Sequence, residues 1–239
     1  MGEHINNPVP VVAIVVAAGS GSRLGADVPK ALVPVAGVPL LTRAVAQLAA
    51  GGVGEVIVVA PVEGREPFVD ALADAPVPVL WADGGAERQH SVAHGIALLP
   101  DLPEADADAQ VVLVHDAARA FVPPEVVGRV IEAVRAGADA VVPVVPVSDS
   151  IRELVDDGST VVDRASLRAV QTPQGFRRGV LEEAHWMVAE SGVAVTDDAA
   201  AVEFSGRQVT LVEGSRDAFK VTEPLDLLLA EALVAQGRA

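Results

Sequence analysis

The chain is 239 residues long, 51% hydrophobic but only 3% aromatic, and carries a formal net charge of −16. That length suits one α/β domain with an aliphatic core, so a single domain spanning 1–239 is expected. The acidic balance disfavours nucleic acid and anionic membranes; the absence of cysteine excludes disulfides, thiolate metal sites and cysteine nucleophiles; and no apolar run reaches the roughly 20 residues of a membrane span.

The opening MGEHINNPVP lacks the basic start of a signal peptide, which predicts a cytoplasmic protein. VVAIVV (11–16) is a β-branched run leading into AAGSGSR, the pattern of a buried parallel strand that enters a glycine loop. Pro39 then opens a helix over LLTRAVAQLAAGG, which stops on glycine. Further strands are predicted at EVIVVA (55–60), VPVLWA (77–82), VVLVHD (111–116) and AVVPVVPV (140–147), separated by helix-compatible sequence that includes EVVGRVIEAVRAG behind Pro123 and Pro124. The acidic PEADADA (103–109) reads as a solvated loop. This alternation predicts a doubly wound, mostly parallel α/β sheet with right-handed crossovers. AAGSGSR, DGGAER and HDAAR should then meet at the carboxyl ends of the strands, where such sheets bind ligands.

From Ser148 to Gln171 the pattern changes to two short strands around an Asp-Asp-Gly turn, a projecting hairpin. A lone ribbon is marginal in water, so its support is expected from a second subunit or from its own domain. Beyond Arg178 come a helix, the TDDAAAVEF segment, a strand around QVTLVEG, and a Leu-rich helix after Pro224.

The loop holding Gly19 and Gly21 can offer bare backbone N–H groups to phosphate oxygens. A dinucleotide fingerprint would need glycine where Leu24 stands, and a P-loop would need Gly-Lys-Ser/Thr where Val28-Pro29-Lys30 stands. There remains a loop with two cations, Arg23 and Lys30, suited to surround a triphosphate. Lys30 and Lys220 are the only lysines against fifteen arginines, which marks both as candidate site residues. Asp116 ends a buried strand and is a candidate ligand for Mg²⁺, the alternative being a helix cap or turn residue. His90 and His94 lie one helical turn apart, but with no third ligand evident they read as a solvated helix face.

Ala17-Ala18-Gly19-Ser20-Gly21-Ser22-Arg23-Leu24 through Pro29-Lys30, then Gly84-Gly85-Ala86-Glu87-Arg88 to Ser91, His115-Asp116-Ala117-Ala118-Arg119, Asp163-Arg164, Thr172-Pro173-Gln174, Thr196-Asp197 and Phe219-Lys220-Val221-Thr222 together resemble the 2-C-methyl-D-erythritol 4-phosphate cytidylyltransferases. The opening motif is shared by many nucleotidyltransferases; the later ones narrow the choice. The resemblance implies a Rossmann-like nucleotidyltransferase sheet, a homodimer joined by an arm at about 147–170, and transfer of CMP from CTP to the substrate phosphate. It implies catalytic roles for Arg23, Lys30, Lys220 and Arg164, with Arg164 and Thr172 lying across the dimer interface. Substrate binding falls to Arg119, Ser150, Thr172 and Asp217, and cytosine recognition to backbone near Ala17, Ala18 and Gly85 with the Ser91 hydroxyl. Two departures stand out: Ala86 replaces a frequent Asp, leaving base recognition to backbone, and Ser150 replaces a frequent Thr, keeping the hydroxyl. Because a phosphate monoester attacks already ionised, no general base is required, and catalysis rests on positioning and charge neutralisation. A cytidylyltransferase for another polyol phosphate, such as ribitol 5-phosphate, shares the first loop and an HDAAR-like element.

Overall fold

A computed structural model describes residues 9–19, 24 and 28–238. In chain order the elements are β1 (Val12–Val16), the ribbon β2 (Pro34–Val35) and β3 (Val38–Pro39), α1 (Leu40–Ala50), β4 (Glu55–Ala60), α2 (Glu66–Ala71), β5 (Val79–Asp83), α3 (Arg88–Ile96), α4 (Glu104–Ala109), β6 (Val111–Asp116), α5 (Pro124–Arg135) and β7 (Ala140–Pro146). There follow β8 (Ile151–Val155), β9 (Gly158–Val162), β10 (Arg168–Val170), β11 (Gln174–Arg177), α6 (Arg178–Ser191), α7 (Asp198–Phe204), β12 (Val209–Glu213) and α8 (Pro224–Ala235).

The predicted alternation folds into one mixed, mostly parallel sheet. Strands β1, β4, β5 and β6 run parallel, as do β7 and β12, while β11 enters antiparallel between β6 and β7. Each central strand is apolar on both faces because each face is covered. Ala13, Val15, Val56, Val58 and Leu113 pack with Leu41, Val45 and Leu48 of α1 and with Val127 and Val130 of α5. The alternate residues Val12, Ile14, Ile57, Val59, Val112 and Val114 pack with Val92 of α3 and with Leu181, Ala184 and Val188 of α6. The period-2 alternation of side chains thus divides one run of Val and Ile between two cores.

Three segments differ from the sequence reading. PEADADA forms the short helix α4 over Glu104–Ala109, with Pro103 before its first turn and two acids in that turn, where the helix dipole favours them. Residues 174–177, assigned to no element from sequence, form β11. The hairpin proper is limited to β8 and β9, which among the described residues pair only with each other, while β10 returns to the main sheet against Val144–Pro146.

Candidate active site

Strand order changes direction at β1: β4 and β5 lie to one side, β6 to the other. At this switch point, beyond the carboxyl ends, lies a cleft of about 510 Å³. Its lining draws on all the predicted edge motifs: Ala17, Ala18 and Gly19 after β1, Gly85, Arg88 and Ser91 beyond β5, Asp116 at the end of β6, and Lys30 and Lys220 from the flanking loops.

Backbone hydrogen bonds tie these loops to one another. Ala17 N–H donates to Val59 O at 2.8 Å, Ala117 N–H to Val16 O at 3.1 Å, Gly84 N–H to Ala60 O at 2.8 Å, and Val221 N–H to Ala118 O at 2.9 Å. The last of these bonds anchors the segment bearing Lys220. Phe219 beside it stacks on Phe121 with ring centroids 6.1 Å apart, and Arg43 lies 5.6 Å from the Phe121 ring.

The loop before α3 requires glycine at 85, because an added Cβ would lie 2.4 Å from the Cβ of His90 and 2.9 Å from Ser91 N. Ser91, itself buried, accepts the Gly85 N–H at 3.0 Å and donates to Glu87 O at 3.2 Å, so its hydroxyl shapes this loop.

Asp116 is the electrostatic centre. Lys220 Nζ lies 2.9 Å from its Oδ2, Arg88 Nε 3.6 Å from its Oδ1, and Arg119 Nε 3.8 Å from its Oδ2. Burial favours the neutral acid, but Lys220, Arg88 and Arg119 together outweigh it and hold the pKa at about 2. The carboxylate is therefore ionised at neutral pH, as a hard-cation ligand must be.

Behind Asp116 runs a buried polar chain. Its backbone N–H donates to Thr172 Oγ1 at 3.0 Å, and that hydroxyl lies 3.0 Å from His115 Nδ1, while His115 Nε2 lies 3.2 Å from Arg119 O. A carbonyl only accepts, so Nε2 carries the hydrogen and Nδ1 accepts from Thr172. Burial lowers the His115 pKa to about 4, with Asp116 opposing and Arg119 assisting, so the ring is neutral. Arg119 donates through Nη1 to Ala218 O at 2.8 Å and through Nη2 to Val170 O at 3.2 Å, linking the Lys220 segment to β10.

Of the residues nominated from sequence, Ala17, Ala18, Gly19, Lys30, Gly85, Ser91, Asp116 and Lys220 line one cleft, with Arg119 and Thr172 behind it. Gly21 and Arg23 lie outside the described residues. Ser150 and Arg164 are exposed at the base of the hairpin, where Arg164 Nη1 donates to Ser148 O at 2.6 Å. Asp217 pairs with Arg238 at 2.6 Å. His90 is exposed, and His94 Nδ1 lies 2.7 Å from Asp83 O.

The model of the 2-C-methyl-D-erythritol 4-phosphate cytidylyltransferase family matches residues 11–236. The chain belongs to this family. Relatives bearing the family's name include one from Saccharopolyspora erythraea, 51% identical over 94% of this chain and 99% of its own length, and one from Rhodococcus jostii, 47% identical over 95% and 96%. The crystal structure of the Thermus thermophilus cytidylyltransferase superposes with a TM-score of 0.77 at 38% identity, covering 94% of this chain and 99% of that one. A synthase structure from Anaerococcus prevotii gives 0.82 at 26% identity, covering 95% and 96%. Membership confirms the family and the nucleotidyltransferase-type fold that the motifs implied.

Two contributions to the family's site escaped the sequence reading. Arg88 stands within the Gly-Gly-Ala-Glu-Arg motif with no role implied by it, yet it faces Asp116 and, at 2.7 Å, the buried Asp198. Gln174 joins the Thr-Pro-Gln motif to Thr196-Asp197: its Nε2 donates to Asp197 Oδ2 at 2.8 Å, and its Oε1 accepts Ala199 N–H at 3.0 Å.

Proposed function

We propose that this chain transfers CMP from CTP to 2-C-methyl-D-erythritol 4-phosphate, releasing pyrophosphate, by in-line attack of the substrate phosphate on the α-phosphorus. The observation that carries the reading is the convergence of Lys30, Lys220 and an ionised Asp116 on one cleft at the sheet's switch point, in a member of this family. The nucleophile arrives ionised, so the chain's work is alignment and neutralisation of charge gathering on the phosphoryl oxygens and on departing pyrophosphate. Arg23, Lys30 and Lys220 take that role. Gly19 and Gly21 offer N–H groups to the phosphates. Backbone near Ala17, Ala18 and Gly85 reads the cytosine, with Ser91 Oγ keeping one lone pair for its amino group.

The residues fit a magnesium ion. Asp116 would hold it as a single ionised oxygen ligand, leaving other positions to phosphate and water, the usual arrangement for Mg²⁺ at a nucleotide. Bound there, the ion adds neutralisation of the triphosphate.

One catalytic domain per chain, paired in a homodimer through the arm, completes the proposal. Its support is the exposure of Leu154 (85%), Val161 (72%) and Val155 (47%) on a hairpin that has no other strand beside it among the described residues. Arg164 and Ser150 at the hairpin base would serve the partner's substrate, and Arg119 and Asp217 the chain's own; Thr172, expected across the interface, is instead buried behind its own chain's cleft, where its hydroxyl holds the Asp116 N–H and His115 Nδ1. Among the described residues no helix is long and apolar enough to cross a membrane, and the acidic charge turns nucleic acid away, in keeping with a cytoplasmic enzyme.

The test is a pyrophosphate-release assay with CTP and Mg²⁺, offering methylerythritol phosphate or ribitol 5-phosphate in separate reactions. Release with the first and little with the second is expected. Release with ribitol 5-phosphate alone, or with neither, would overturn the assignment.

A further inference from the structure

Beneath the cleft wall, helices α3, α6 and α7 each send one ionisable side chain to a common point. Asp198 in the first turn of α7 is the hub: its side chain is 2% exposed, its Oδ1 lies 3.0 Å from His185 Nε2 of α6, and its Oδ2 lies 2.7 Å from Arg88 Nη2 of α3. The carboxylate only accepts, so His185 presents Nε2–H to it. A carboxylate this deep is costly to bury unless paired, and both partners hold it ionised against burial. The guanidinium is in turn fastened at one end to an anchor that cannot move without unpacking α6 from α7. Its other side, Nε, faces Asp116 Oδ1 at 3.6 Å.

This separates the two cations nearest Asp116 by mobility. Lys220 is 42% exposed on a flexible stem and can turn toward an incoming triphosphate. Arg88, 29% exposed and clamped from below, cannot follow it. Something must keep Asp116 aimed when Lys220 leaves Oδ2; Arg119 stands 3.8 Å from that same oxygen, whereas Arg88 is the guanidinium set against Oδ1. We propose that Asp198, with His185 behind it, is a positioning residue: it acts through Arg88 to hold the Asp116 carboxylate in its working orientation in the cleft. The inference rests on the transferase reading above.

Kinetics of the full-length enzyme with saturating polyol phosphate and varied CTP test it. In Asp198→Asn a buried anion beneath the cleft wall is lost, so attraction for CTP is kept or strengthened while alignment suffers. We expect kcat to fall roughly 10- to 100-fold, with KM for CTP unchanged or lower. Because Asp198 acts through Arg88, adding Asp198→Asn to Arg88→Met should lower kcat no further than Arg88→Met alone. A structural role confined to packing predicts the opposite, two losses that multiply. His185→Gln, a milder change at the same hub, should give a smaller kcat loss that likewise vanishes in the Arg88→Met background, and it carries the test should Asp198→Asn fail to fold by circular dichroism. Wild-type kcat in the single variants, a raised KM as the sole effect, or multiplying losses would overturn the positioning role. Failure of the wild-type enzyme to release pyrophosphate would instead sink the transferase reading, so the two failures are distinguishable.

Discussion

Replacing Asp116 by Asn tests the electrostatic centre of the cleft on two independent scales. The carboxyl group's pKa lies at about 2 in the folded chain against an ordinary 3.8, so folding favours its charged form by roughly 2–3 kcal/mol. Asn resembles the neutral acid in shape and charge, and at pH 7 the variant should lose stability of that order. For a chain of this size that is a melting temperature lower by about 5–10 °C. The sign with pH follows from the depressed value: the contribution is full above 3.8 and is lost as pH falls through about 2, so the gap between wild type and variant should close on acidification across that window. Catalysis should respond differently from binding. Without its anion, the Lys220, Arg88 and Arg119 group still attracts a triphosphate, so KM for CTP should hold or fall, while kcat drops roughly 10²–10³-fold for want of one preorganised charge. The assays are scanning calorimetry at several pH values and continuous pyrophosphate release. A variant that melts with wild-type enzyme and retains its turnover would refute both the electrostatic argument and the assignment.

Lys220→Ala should lose most turnover while its melting curve stays within a few degrees of wild type, since the lysine is 42% exposed; comparable kcat would remove it from the catalytic set. Thr172→Val leaves His115 Nδ1 and the Asp116 N–H unpaired in a buried setting, at about 1–3 kcal/mol each, so it should lower the melting temperature, and Thr172→Ser should restore it. Gly85→Ala forces His90 or the loop aside and should raise KM for CTP by an order of magnitude or more; unchanged CTP binding by calorimetry would count against that loop as the base site. Paired Leu154→Glu and Val161→Glu changes on the hairpin should leave each chain folded but shift sedimentation from dimer to monomer, with loss of turnover.

What could be read from sequence follows from where the constraint lies. Strands β1, β4, β6 and β7 announced themselves because burial on both faces demands unbroken runs such as VVAIVV and VVLVHD. Strand β11 did not, since its QGFR has no such run. It is a strand because its neighbours leave a slot for it, with Gly175 so close to Val130 that a Cβ would lie 2.4 Å away. The same division holds at the site. Asp116, Lys30 and Lys220 were visible as rare or terminal residues beside strands and loops. Asp198 and His185 are ordinary in sequence, thirteen residues apart in different helices, and acquire meaning only when α6 packs on α7 and brings them to 3.0 Å. Ser150 and Arg164 are exposed at the hairpin base, so their proposed roles come from the family resemblance and not from packing within the chain.

The pairing of charges in the cleft also bears on which anions so acidic a chain can hold. Lys220 rests against Asp116, Arg88 against Asp198, and Lys30 contributes to the field that lowers the Asp226 carboxyl, itself opposed by burial and held by N–H groups of Thr222 and Glu223. Before substrate arrives, each of these cations therefore has an acidic neighbour, and the surrounding charge of −16 repels extended polyanions at long range. Only a compact anion that reaches several of these cations at once can compete with their carboxylate partners. A triphosphate inside a cleft of about 510 Å³ satisfies that condition. Selectivity for the nucleotide's phosphates thus arises from internal competition for each cation, and loosening the Asp198 clamp should weaken that selectivity as well as catalysis.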